Sequence, residues 1–90
     1  MRHEPDFFGG QELVLVYVAK RLRDALALEK ALDADALDYA VVPTQYTSGA
    51  LFRSQRVGAF FYVIPQDGDR AREVMRARGF KPYVNTGEAV

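Results

Sequence analysis

LVLVYVA, residues 13–19, is an unbroken apolar run rich in β-branched side chains, and its reading decides the fold. At seven residues it is too short for a membrane helix, which needs about 20, and its composition favours a strand buried on both faces. VGAFFYVI (57–64) has the same character and gives a second strand of this kind. Between them, Leu22, Ala25, Leu26, Leu32 and Ala36 recur at helical spacing over residues 21–36, with Glu29 inside the stripe. DYAVVP (38–43) reads as a strand closed by Pro43. Asp67 to Arg78 reads as a helix with Ala71, Val74 and Met75 facing inward and Gly79 as a left-handed stop, and FKPYV (80–84) as a short last strand.

The order β-α-β-β-α-β is that of the ferredoxin-like α+β fold, a four-stranded antiparallel sheet with two helices on one face. Its first and third strands are central, and they are the two doubly apolar runs. Pro43 and Pro82 fall in the expected edge strands, where a missing ladder N–H is tolerated. The expected organisation is a flexible tail over 1–11, the domain over 12–85 and a C-terminal tail over 86–90.

Ninety residues make one domain with a thin core, since a chain this short buries only roughly 60–65% of its unfolded surface. Apolar residues at 49% and charged residues at 27% exclude a wholly disordered chain. The absence of cysteine excludes disulfides, thiolate metal sites and a thiol nucleophile. The start of the chain, MRHEPDFFGGQ, has no apolar stretch like that of a signal peptide, so the expected location is the cytoplasm, with no membrane contact. Net charge is zero but uneven. Residues 1–45 carry five Lys/Arg against eight Asp/Glu, and residues 46–90 carry seven against four.

With both helices on one side, the other face of the central strands needs a cover. Strict alternation assigns Leu13, Leu15, Tyr17, Phe60 and Tyr62 to that open face, with Gly58 and Ile64, and leaves Val14, Val16, Val18, Val57, Ala59, Phe61 and Val63 to the core. Shielding several large apolar side chains at ~25 cal/mol per Å² is worth several kcal/mol, so the expectation is a homodimer or homotrimer joined through the sheet. Nucleic acid is the rival occupant. VYVAKRL (16–22) and RVGAFFYV (56–63) partly resemble the strand motifs of RNA-recognition domains, but Gly58 stands where a stacking aromatic belongs.

DALALEKALDADALDYAVVPTQYTSGA (24–50) resembles a family of small bacterial domains described as carriers of selenium or sulfur. The order of Ala25, Glu29, Lys30, Pro43, Ser48 and Gly49 follows that family's pattern, and Ala50 stands where its cysteine would be. The resemblance implies the fold without the thiol chemistry. DGDRAREVMRARGFKPY (67–83) adds a weaker resemblance to PII-like signal-transducing domains, in which the connection between the second and third strands engages targets. Here residues 44–56 occupy that place, 13 residues long. Thr47, Ser48, Arg53 and Arg56 are its candidate ligands for a small anion or a protein partner.

Catalytic machinery is not legible. Ser48 and Ser54 have no placed base, and His3, Glu4 and Asp6 are three polar residues in a tail rather than a metal site. Glu29 is the one candidate for a desolvated carboxylate, the competing reading being that it reaches out along the stripe's edge to a cation or a backbone donor. The expected function is a non-catalytic ligand-sensing or protein-interaction domain without cofactor. The alternatives are an accessory enzyme or carrier acting on a small anionic metabolite, and an RNA-binding domain.

Overall fold

A computed structural model describes residues 1–48 and 54–83. The elements are β1 (Arg2–His3), β2 (Val14–Ala19), α1 (Leu22–Ala34), β3 (Tyr39–Ser48), β4 (Ser54–Val63) and α2 (Gly68–Ala77), with 3-10 turns at Pro5–Phe8 and Pro65–Asp67. The protein is a small α+β fold. Its four strands lie in the order β1-β3-β4-β2.

The sheet is mixed rather than antiparallel. β4 pairs antiparallel with both β2 and β3, as expected of a central strand, whereas β2, also expected to be central, lies at one edge because no strand forms beside it over 80–83. β1 lies parallel to β3 at the far edge, with Arg2 opposite Tyr39 and His3 opposite Ala40. Residues 1–11, read from the sequence as a tail, thus supply the fourth strand. The expected last strand does not form over 80–83, and Val84 lies outside the described residues. Within 80–83 only the Tyr83 N–H reaches β2, donating to the Val16 carbonyl at 2.7 Å. A bulge between Leu15 and Tyr17 breaks the regular bond pattern of β2, so its outer edge offers no continuous ladder.

That bulge also changes which side chains face the helices. Leu15 opposes Tyr62, but the next paired residue, Tyr17, opposes Phe61, followed by Val18 opposite Phe60 and Ala19 opposite Ala59. One extra residue reverses the parity of the rest of the strand. Tyr17 therefore lies on the helix side, in edge contact with the rings of Phe61 (6.3 Å) and Phe80 (5.7 Å), and not on the open face where alternation assigns it. Val18 takes the place on the open face.

The core lies between the sheet and the two helices: Val16, Phe61, Val63 and Tyr39 from the strands, Leu28 and Leu32 from α1, Ala71 and Met75 from α2, and Leu37. The buried stripe of α1 is Ala25, Leu28, Ala31 and Leu32. It is rotated from the expected stripe, leaving Leu22 75% and Leu26 51% exposed. The stripe turns because the core contact of α1 is made by the Ala25, Leu28, Ala31 and Leu32 flank. Helix α1 closes on Ala36, at φ 56°, with the Leu37 N–H bonded to the Leu32 carbonyl at 3.0 Å. This is a Schellman-type stop without its usual glycine. Gly79, at φ 86°, ends the stretch after α2 as the sequence indicates.

Tyr39 is fully buried, stacked on Phe61 at 5.8 Å, with its hydroxyl 3.1 Å from Asp33 Oδ1 and 3.4 Å from the Glu29 carbonyl. Burial, then the bond to the Asp33 carboxylate, pushes its phenol well above the ordinary tyrosine range. The Tyr17 phenol is also raised, by burial and then by the charge of Asp24.

Candidate functional site

The segment read from the sequence as a 13-residue loop is mostly hairpin. β3 and β4 are paired in unbroken register from Ala40 opposite Tyr62 through Thr44 opposite Gly58 to Ser48 opposite Ser54. The correction has a simple cause: Thr44, Tyr46 and Thr47 are strand formers whose alternation continues past Pro43. Thr47 and Ser48 therefore lie in β3, and Arg53 lies outside the described residues. Arg56 is an exposed residue of β4, opposite Tyr46.

Arg56 does meet other cations. β2 ends at Ala19, and the chain turns through Lys20 and Arg21 directly into α1. Lys20, Arg21, Tyr46 and Arg56 line one cavity of about 330 Å³. Arg21 is the N-cap of α1, extended at φ −129°, and no side chain caps the helix there. The helix start adds its own partial positive charge. Three cations, a phenol and an uncapped helix start can together hold an anion by charge-assisted hydrogen bonds. Lys20, Arg21 and Tyr46 are the members that the loop reading missed. The signal for them was present, because Lys20-Arg21 directly follows an apolar strand and opens a helix.

Gly58 lies on the open face beneath the Tyr46 ring. A Cβ there would come within 3.1 Å of the Tyr46 ring and 3.3 Å of Phe60 and Val18, so glycine lets the Tyr46 ring lie across the sheet. The Tyr46 and Phe60 rings are 6.5 Å apart. Leu13, Leu15, Val18, Val42, Phe60 and Tyr62 continue the open face, each half-buried. Part of the cover comes from the chain itself. Pro5 joins Leu13, Val42 and Tyr62 around one shallow hollow, while His3 stacks on Phe7 with ring centroids 3.5 Å apart.

Glu29 is not a lone carboxylate. Its Oε2 lies 3.3 Å from Arg2 Nη1, so β1 brings it a cation. His3 Nε2 lies 2.8 Å from Asp38 Oδ1. Among the described residues no cluster of metal-ligating side chains occurs, and no helix is long and apolar enough to cross a membrane.

No family model matches the chain, and no curated protein or solved structure matches it either.

Proposed function

We propose that this protein is a non-catalytic, anion-responsive interaction domain. The observation that carries the reading is the convergence of Lys20, Arg21, Arg56 and Tyr46 on one cavity at the uncapped start of α1. Among the described residues no carboxylate lines that cavity, so an incoming phosphate or carboxylate meets three cationic side chains and a hydroxyl that can donate. Self-association through the open sheet face belongs to the same proposal, with Leu15, Val18, Phe60 and Tyr62 as the contact. These side chains retain apolar surface that the helices do not reach.

The succession β2-α1-β3-β4-α2, with β4 between β2 and β3, supports a ferredoxin-like reading in which the Tyr83 to Val16 bond marks the place of the fourth strand. That arrangement is compatible with the carrier-like and PII-like resemblances and with a cytoplasmic protein. RNA is a weaker candidate for the same cations, because the Tyr46 ring already occupies the space over Gly58.

Thermal unfolding in the presence of inorganic phosphate, nucleotides and small carboxylates tests the proposal. A ligand at about 100 times its Kd adds about 2.7 kcal/mol, which for a domain of this size raises Tm by about 10–20 °C. A rise abolished by Lys20→Ala with Arg56→Ala supports the site. No rise with any of the anions refutes it.

A further inference from the structure

β4 is longer than its neighbour. β2 stops at Ala19, opposite Ala59, whereas β4 starts at Ser54, so over 54–58 β4 is paired only on its β3 side among the described residues. The Tyr39 N–H points away from β4, to the Met1 carbonyl. By alternation, even-numbered residues of β3 exchange bonds with their even-numbered partners on β4, such as Tyr46 with Arg56. Gln55 and Val57 therefore direct their N–H and C=O toward the vacant edge beyond Ala19.

Each face of this edge has its own cavity. On the helix side, Leu22, Ala25, Pro43, Val57 and Ala59 surround an apolar space of about 220 Å³, with Leu22 75% and Val57 61% exposed. On the open side lies the cationic cavity of Tyr46 and Arg56. Lys20 and Arg21 line both.

We propose that this edge receives an extended acidic peptide segment of a partner protein by strand addition in line with β2. The inference rests on the anion-binding reading and names its partner. Successive side chains of an added strand project to opposite faces of the sheet. An apolar residue can thus enter the Leu22–Val57 cavity while its sequence neighbour, a glutamate or aspartate, meets Lys20, Arg21 and Arg56. The recognised pattern is alternation of apolar and acidic residues over about five positions, the length of the open edge at ~3.3 Å per residue. Charge complementarity selects this occupant, since among the described residues no carboxylate lines either cavity.

Fluorescence anisotropy at low ionic strength tests it with a labelled hexapeptide alternating valine and glutamate. Two controls are used: a peptide of the same composition with its valines and glutamates in separate blocks, and an alternating valine–lysine peptide. The alternating acidic peptide is expected to bind at least tenfold more tightly than either. Val57→Pro removes an N–H that faces the vacant edge, and Leu22→Ala shortens an exposed apolar side chain without adding charge. Each is expected to weaken peptide binding at least tenfold while the phosphate-induced rise in Tm persists. Equal binding of the block peptide, or full binding by both variants, overturns strand addition. If phosphate raises Tm and no peptide binds, the partner inference falls and the anion site stands; if neither binds, both fall.

Discussion

Replacing Tyr17 and Val18 separately by alanine tests the bulge in β2, because regular alternation and the bulged strand assign opposite costs to them. In the structure Tyr17 gives up two edge-to-face ring contacts, with Phe61 and Phe80. Each is worth about 0.5–1.5 kcal/mol beyond burial. Adding the transfer of a half-buried ring, Tyr17→Ala should cost about 2–4 kcal/mol. Against a total of roughly 5–13 kcal/mol for a domain of this length, that is a large fraction. At about 4–8 °C per kcal/mol, Tm should fall by about 8–32 °C. Val18, on the open face, should cost under about 1 kcal/mol as alanine in the isolated subunit. Urea unfolding of both variants at low protein concentration gives the comparison. Light scattering adds the second readout: Val18→Lys should reduce the solution mass of a self-associating wild type without changing its circular dichroism. A Val18→Ala penalty equal to or larger than that of Tyr17→Ala would refute the reversed parity, and with it the composition assigned to the open face.

Ala36 holds φ 56° at the stop of α1, where a Cβ is strained. Ala36→Gly should therefore stabilise the domain by about 0.5–1 kcal/mol, read as a higher urea midpoint at unchanged slope. Tyr39 and Tyr17 both have phenols raised in the folded state. Their contribution is fully present below the unfolded tyrosine pKa of about 10 and is lost as pH rises from there toward the folded values. Tyr39→Phe should flatten that alkaline limb of the stability curve and cost about 1 kcal/mol at neutral pH for the lost hydrogen bond; an alkaline limb unchanged by the substitution would contradict the assignment.

The two apolar runs and the two helices were legible because burial dictates them, although only the second run, β4, is central and the first, β2, is an edge strand. The edge of the sheet was not legible. A strand of two residues, Arg2–His3, carries no periodicity to read, and the pairing that makes it depends on where β3's outer edge lies in space. The bulge was equally hidden, since LVLVYVA is apolar at every position and offers no polar residue to betray a change of face. For the site, Arg56 was singled out from its neighbourhood in sequence. Its partners Lys20 and Arg21 lie 35 or more positions away and meet it only because β2 and β4 are paired. Glu29 illustrates the converse. Its place on an apolar stripe left open a desolvated acid or one that reaches out to a cation; the cation is Arg2, and only the pairing of the N-terminal strand identifies it.

The most direct test of the anion site is a two-dimensional amide NMR titration of the protein with inorganic phosphate at low ionic strength. Saturable shifts confined to Lys20, Arg21, Leu22, Tyr46 and Arg56, and lost in the Lys20→Ala, Arg56→Ala double variant, are the predicted result. Shifts that fail to saturate, or that gather instead on the arginines of α2, would contradict it.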